Sequence, residues 1–524
     1  PYYYGIKGGS YNPSNPTDYE IERLGTSGTD YLKTSDISKA SDQTFYLDAR
    51  VNYDRQFNLH HVTGMLMYMQ REYRSSVLPE RNQGFSGRFT YDYGQRYLVE
   101  LNFGYNGTER LAKKERFEFF PAVSLGWVIS NEKFFEPMTK YIDNLKIRGS
   151  YGLVGSDETG LSAGAQHFLY IDQVSLNNIG FTTGVDMNYT LYGPLVTNYA
   201  VVNGGWERVK KLDIGIDLEL FRQLTITADY FNEKRYNILL HREAWPESLG
   251  YYTAKPWSNK GKVDNWGIEL SVNWRKEFTK DLYVDFRGNF TYTENKYVNL
   301  DEPVYPYVWK TSTGKPLSRT TGYIAQGLFS SQEEIDNSPT QNLGSTVKPG
   351  DIKYRDVNGD GKIDGSDQVM ISPYGTTPRI QYGLGMNVTY KKFDFGVFFN
   401  GSAKRTIMIS GISPFGQSDY NVMQFIADDY WSESNPNPNA KYPRLGLTSS
   451  QTANNTVAST YWMRNGNFIR FKTLELGYKF KYGRVYLNGD NIAVFSPFKL
   501  WDPELSWNAY PLQRTFNIGV QLNF

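Results

Sequence analysis

The chain has 524 residues, with 56 Lys plus Arg against 55 Asp plus Glu and no cysteine. That length admits several domains or one very large closed sheet; the near-zero net charge removes the electrostatic case for a nucleic-acid footprint. The lack of cysteine excludes disulfides, thiolate nucleophiles and Cys-based zinc sites, and it suits export through an oxidising compartment.

No stretch reaches the ~18 to 20 continuous apolar residues that a membrane helix needs, whereas 42 Tyr, 31 Phe, 11 Trp and 48 Gly favour strands and tight turns. The chain opens at Pro1 without a basic or apolar leader, so a signal is expected to have been removed or to lie upstream. From residue 44 onward period-two alternation recurs. Phe45, Leu47, Ala49, Val51 and Tyr53 alternate with Asp48, Arg50, Asn52 and Asp54, predicting a first strand over 44–56. Weaker matches at 61–73 and 85–93 follow, then Tyr97–Tyr105, Val123–Ile129, Leu145–Leu153, Leu212–Leu220, Leu224–Tyr230, Trp266–Trp274, Leu282–Tyr292, Tyr382–Tyr390, Phe393–Phe399, Leu474–Phe480, a weaker 483–491, and Phe516–Phe524. Fifteen strands are predicted, many close to the ~9 to 11 residues of a tilted bilayer-crossing strand rather than the ~5 to 6 of a globular one.

The links between these strands alternate in length. Short ones lie at 57–60, Gly94-Gln95, Phe221–Gln223, Phe278–Asp281, Lys391-Lys392 and Lys481-Tyr482, with 130–143 the longer case. Long ones lie at 74–84, 108–116, 155–206, 241–262, 297–378, 403–466 and 492–512. Short turns at one end and large loops at the other are the rule for outer-membrane barrels, not for soluble sandwiches. The expected fold is therefore all-β, a transmembrane antiparallel β-barrel with lipid-facing Leu, Val, Phe, Tyr and Trp and a wet lumen, closed so that no strand edge meets hydrocarbon. Parity makes residues 1–43 an extracellular loop and 44–524 barrel, with 297–378 and 403–466 as long extracellular loops. Fifteen is odd, while bacterial single-chain barrels are even; either one strand is missed or the chain is the downstream part of a larger barrel.

One stretch has metal-ligand spacing. In "DVNGDGKIDGSD", Asp356, Asn358 and Asp360 stand at loop positions 1, 3 and 5, Gly361 at the sharp turn, Lys362 offers a carbonyl at 7, and Asp364 and Asp367 stand at 9 and 12. Alternate oxygens on a tight loop converge on a hard cation such as calcium, although Asp367 replaces the usual bidentate Glu and no helices flank the loop. The bland alternative is an Asn-Gly/Asp-Gly turn with solvated carboxylates. His60, His61, His167 and His241 are scattered without zinc spacing. Gly149, Gly152 and Gly155 lie inside a strand pattern, unsuited to cradling phosphate. The loop aromatics Trp245, Tyr251, Tyr252, Trp257, Trp309, Trp431 and Trp462 could stack on sugars, but such residues more often hold a loop's own core.

"TGYIAQGLFSSQEEI" (Thr321–Ile335), "PGDIKYRDVNGDGKID" (Pro349–Asp364), "NGNFIRFKTLELGYKF" (Asn465–Phe480) and "YPLQRTFNIGVQLNF" (Tyr510–Phe524), in that order, resemble the barrel of the SusC/RagA-like family of TonB-dependent outer-membrane transporters. The resemblance covers essentially the whole chain. It implies a 22-stranded barrel of which these would be strands 8 to 22, with the N-terminal half of the barrel, a plug and a TonB-contacting segment expected outside this chain. It implies a terminal Phe524 read by the outer-membrane assembly machinery, a SusD-like surface lipoprotein as partner, contact with the TonB complex and outer-membrane lipid, import of an oligosaccharide or peptide, and no catalytic residues. A passive porin of about 16 strands and a secreted glycan-binding β-protein are the alternatives.

Overall fold

A computed structural model of the chain describes residues 3–7, 21–26, 28, 41–75, 79–158, 168–201, 203–246, 248, 255–409, 422–506 and 509–523. Tyr251, Tyr252, His167, Phe524 and most of the 1–43 segment expected to be a loop lie outside the described residues. The chain divides into two compact units, residues 1–47 with 71–81, and residues 48–70 with 82–524. The first contains an antiparallel hairpin of Tyr3–Ile6 and Ile21–Leu24.

Fifteen strands form one antiparallel sheet in which each strand lies beside its neighbours in sequence. They are β1 (Gln43–Phe57), β2 (His60–Arg74), β3 (Glu80–Tyr93), β4 (Tyr97–Thr108), β5 (Phe117–Val128), β6 (Ile142–Ser156), β7 (Glu207–Leu220) and β8 (Leu224–His241), followed by β9 (Trp257–Thr279), β10 (Leu282–Asn299), β11 (Ile380–Tyr390), β12 (Phe393–Ala403), β13 (Phe468–Phe480), β14 (Gly483–Phe495) and β15 (Thr515–Leu522). All fifteen predicted segments are strands, mostly longer than alternation alone suggested. The 241–262 link is shortened because β9 begins at Trp257, nine residues before the expected Trp266. The register of β8 against β9 shifts between Tyr236 and Ile238 and again between Ile238 and Leu240, and such bulges break a strict period-two pattern while leaving the strands paired. Gly149, Gly152 and Gly155 lie within β6, as their pattern implied.

Pairing keeps the apolar rows in register. Ile214 of β7 opposes Tyr230 of β8, Tyr230 opposes Ile268 of β9, and Ile268 opposes Tyr292 of β10. The adjacent row, Gly215, Asp229, Glu269 and Thr291, points to the other face. The apolar row is exposed, with Ile214 at 48% and Ile268 at 44%, and it continues through Phe103, Leu125, Ile147, Leu270, Leu384, Leu476, Leu487 and Ile518. The polar face is cross-linked: Arg148 meets Asp213 at 3.1 Å, Asp217 at 3.4 Å and Asp229 at 2.6 Å, Lys211 meets Glu233 at 2.8 Å, and Arg484 holds Asp394 and Glu475. A sheet that offers one face of large apolar side chains to its surroundings and knits the other with ion pairs is arranged for hydrocarbon outside and water inside.

Aromatic rings gather at the short-turn end. Tyr141 packs edge-on to Phe221 at 6.1 Å, Trp274 to Phe278 at 5.9 Å, and Phe393 lies 5.0 Å from Tyr478. Lys140, Lys276, Lys391 and Lys481 lean over Tyr141, Phe278, Tyr390 and Tyr482. Amphipathic rings beside snorkelling lysines are what a membrane–water boundary favours.

At the opposite end, the links 300–379, 404–467 and 496–514 share one hydrophobic core of Tyr323, Ile352, Tyr354, Ile363, Ile409, Ile426, Trp431, Tyr442, Trp462 and Phe498. Ile352 is 0% and Trp462 1% exposed. Short pairings hold its backbone: Thr320–Gly322 with Val369–Ser372, Ala325–Leu328 with Ile352–Tyr354, and Thr406–Met408 with Met463–Asn465. Trp431 and Trp462 thus fill the loops' own core. A further hairpin, Gln173–Thr183 with Tyr189–Asn198, rises from the link between β6 and β7.

Candidate functional site

The loop assembly is built around Asp351, within the motif that begins at Pro349. Gly350 adopts φ +85° and passes so close to the Trp431 ring that a β-carbon there would collide with it. The turn delivers Asp351 into the core, where it is fully buried. It pairs with Arg444 at 2.7 Å, accepts the Lys348 N–H at 2.8 Å and takes the Asn455 side-chain amide at 2.7 Å. Burial pushes the Asp351 carboxyl up, against the pull of Arg444 and these donors. Asn455 Oδ1 accepts the Ile352 N–H at 2.9 Å, Asn454 and Gln341 both donate to the Ile352 carbonyl at 2.9 Å, and Gln341 Oε1 accepts the Tyr354 N–H at 2.7 Å. Segments 100 residues apart are thereby locked together with the strand-edge groups of Ile352–Tyr354 satisfied.

The predicted metal loop lies beside this network. Asp356 accepts the N–H groups of Gly359 at 2.6 Å and Gly361 at 2.8 Å, and both glycines have positive φ. Asn358 Oδ1 accepts from Asp360 N at 3.1 Å, and Asp360 Oδ1 from Lys362 N at 2.9 Å. Asp364 caps the short turn at Gly365–Asp367, accepting Ser366 N at 2.7 Å, while the buried Asp367 accepts Val357 N at 2.8 Å and Asp364 N at 2.9 Å. One loop carries all six residues, and its carboxylates are turned onto the loop's own amides. Among the described residues no group of three or more His, Cys, Asp and Glu is arranged to hold a metal ion. Tyr307 and Trp309 stack at 4.7 Å and pin the loop, Trp309 donating to the Ser366 carbonyl at 2.8 Å and Tyr307 accepting from Asn358 at 3.0 Å. His60 bonds Tyr91, His61 bonds Asp54, and His241 lies on Trp257, three separate places.

Sequence reasoning did not single out Arg470. It sits at the start of β13, 3% exposed, gripped by Asp502 through two bonds of 2.6 and 2.7 Å and by Glu504 at 2.7 Å. This guanidinium fastens the last link to the sheet, helped by Arg405 donating to the Pro503 carbonyl at 2.6 Å. Its only sequence signal was an Arg inside an otherwise apolar segment, Phe468–Phe471.

Two cavities with charged residues in their linings open on the ion-paired face. One of 430 Å³ lies where β7 and β8 meet the long links, lined by Arg110, Glu158, Glu207, Arg235 and Asn259 beside Leu239. The other, of 600 Å³, lies on the strands themselves, lined by Arg287, Asn387, Asp394 and Glu475 where Gly383 and Gly385 leave room. The arrangement offers recesses with charged linings along a wall and a folded cap at one end.

A family model described as "TonB dependent receptor-like, beta-barrel" matches residues 2–492. The chain belongs to this family. Its outer-membrane location accords with the exposed apolar face of the sheet. The TonB-dependent receptor P3 of Formosa agariphila is 25% identical over 478 residues, 84% of this chain and 45% of that protein. The TonB-dependent receptor SusC of Bacteroides thetaiotaomicron is 27% identical over 469 residues, 84% of this chain and 43% of SusC. This receptor-barrel chain therefore spans less than half the length of the curated relatives it matches. Among solved structures, the RagAB peptide transporter superposes with a TM-score of 0.69 at 18% identity, over 92% of this chain and 55% of that one, which shows a shared fold.

Proposed function

We propose that this chain forms the wall and outer loops of a TonB-dependent importer that carries a large nutrient, an oligosaccharide or peptide, across the outer membrane. The observation that carries the reading is the inverted sheet: its large apolar side chains are exposed, its ion pairs line the opposite face, and its folded cap stands at one end only. The short turns are read as periplasmic. Residues 1–43 and the links 297–378 and 403–466 are read as extracellular. β1 and β15, the two ends of the strand order, would pair with the N-terminal half of the barrel to complete 22 strands, since no strand edge is stable in hydrocarbon. A plug would occupy the lumen against the ion-paired face and be remodelled by TonB. Cargo would be trapped between the outer loops and a SusD-like lipoprotein. The likeness to SusC, a TonB-dependent receptor, and to the RagAB peptide transporter supports the reading of import.

For the 356–367 loop we propose calcium as a structural clip on Asp356, Asn358, Asp360, Lys362, Asp364 and Asp367. The spacing supports it, and a carboxylate oxygen that accepts one N–H keeps a second lone pair for a cation.

Uptake by cells expressing the full-length gene tests the import reading. Labelled cargo should accumulate against its gradient, and collapse of the proton gradient or deletion of TonB should abolish accumulation. Uptake that persists unchanged after either treatment would make the protein a passive pore instead.

A further inference from the structure

Two enclosed guanidinium groups of the loop assembly meet carboxylates, Arg444 at Asp351 and Arg470 at Asp502 and Glu504, while Arg405 and Arg319 spend their donors on backbone carbonyls and a hydroxyl. Arg464 also lacks a carboxylate, and it borders a cavity. Half-buried beside the core, it donates through Nη1 to the carbonyls of Tyr461 at 2.7 Å and Met463 at 3.0 Å, and it forms no ion pair among the described residues. Burial pushes its guanidinium below the ordinary value. A partly desolvated cation without a counter-charge is costly, and an incoming anion offsets that cost.

Arg464 faces a 590 Å³ cavity, and the wall supplies further charge of the same sign. Lys441 and Lys499 line the cavity with it, Tyr461, Pro497 and Leu500 form apolar sides, and no carboxylate lines it among the described residues. Of the three cations, the exposed Lys441 has a carboxylate partner, Asp429, at 3.4 Å. The Tyr461 hydroxyl donates to the Ala440 carbonyl at 3.0 Å, which fixes its ring beside the cavity. Both walls are loop residues, from the links 404–467 and 496–514, at the end of the sheet remote from the short turns.

We propose that this cavity is an anion site that holds the sulfate or carboxylate groups of an acidic oligosaccharide. A planar guanidinium takes an oxyanion through two parallel bonds, and the lysines add point charges around it. Arg464 and Lys499, without an ion pair among the described residues, and Lys441, which shares its charge with Asp429, call for more than one negative charge on one ligand, which a sugar chain charged on successive rings supplies and a single peptide carboxylate does not. The apolar sides accept the C–H faces of the rings. The proposal rests on the reading that these loops capture cargo, but binding needs no TonB, so the two are tested apart.

The experiment is calorimetry on the full-length transporter in detergent, with dextran sulfate oligomers, unsulfated dextran oligomers of the same length, and tetraglutamate. The sulfated chain should bind, the unsulfated chain should not, and tetraglutamate should bind more weakly than the sulfated chain. Arg464→Gln should raise Kd about tenfold and Lys441→Gln with Lys499→Gln about as much together, the scale of one charge-assisted contact. Added salt should weaken the wild type more than Arg464→Gln. Thermal unfolding checks that each variant folds, and the exposed lysine pair carries the test should Arg464→Gln fail to fold. Equal binding of charged and neutral dextrans, absence of binding by the sulfated chain, unchanged Kd in the folded variants, or tighter binding of tetraglutamate would each overturn the proposal. Energy-dependent uptake without anion preference would sink this site and leave import standing.

Discussion

The sheet and the loop assembly obey opposite burial rules within one polypeptide. In the sheet, Ile214, Ile268, Leu270 and Leu487 face outward while Arg148, Asp213 and Asp229 pair on the other face. In the loop assembly, Ile352, Ile363, Trp431 and Trp462 are enclosed, and the buried Asp351 is paired with Arg444. The difference teaches that the solvent is not the same for the two regions: hydrocarbon lets a strand leave its apolar side chains uncovered, whereas a water-bathed loop must bury its own.

That comparison is broken most directly from the loop side. Trp462→Ala should remove about 3–5 kcal/mol, because the side chain is fully enclosed and its Nε1 donates to the Asn455 carbonyl at 2.7 Å. Limited proteolysis of the purified protein should then cut within 300–379 and 404–467 while the sheet stays resistant. The sheet answers with neighbouring positions on opposite faces. Leu270→Arg, on the exposed apolar row, should cost about 2–4 kcal/mol in a bilayer, while Ser271→Arg, on the wall of the 600 Å³ recess, should cost almost nothing; urea unfolding in lipid vesicles measures both. Equal costs at the two positions would mean that the sheet has no lipid face.

Smaller effects sharpen the picture of the loops. Glu334 accepts the Ser330 N–H at 2.9 Å and hydroxyl at 2.7 Å and meets Lys353 at 3.0 Å. These hold its carboxyl at about 2, below the ordinary 4.5. A depressed carboxylate stabilises the fold above its unfolded value and loses that contribution as pH falls through the folded one. Glu334→Gln should therefore cost up to about 1 kcal/mol near neutral pH, and the difference from wild type should shrink as pH is lowered from about 4.5 toward 2, followed by thermal unfolding. The smallest change is expected from calcium. Because the 356–367 carboxylates already hold their loop through backbone amides, calcium or a chelator should scarcely move the unfolding midpoint. Terbium luminescence sensitised by Trp309 should nevertheless report the ion entering, and Asp360→Ala should reduce it.

The fifteen strands were legible because a strand with lipid on one side and water on the other has no freedom in its period: each residue is assigned a face by parity, and the alternation of Phe516 to Phe524 or Leu212 to Leu220 displays it. The lopsided link lengths were equally visible, since length needs no folding to be read. Strand ends were less so. Bulges near Ile238 hid the true reach of β8 and the start of β9. The spacing of Asp356 to Asp367 was visible, but not that their oxygens would turn to the loop's own amides.

What the sequence alone determined about this protein is its membrane-spanning sheet, because period-two patterning is a local consequence of two different solvents on two faces. What only the tertiary structure decided is the cap: that Asp351 meets Arg444, that Arg470 meets Asp502, and that Arg464 looks into a recess bordered by Lys441 and Lys499. Those partners lie from 23 to 93 residues apart in chains of irregular backbone, where no repeat fixes which way a side chain points, and only packing around a shared core brings them together.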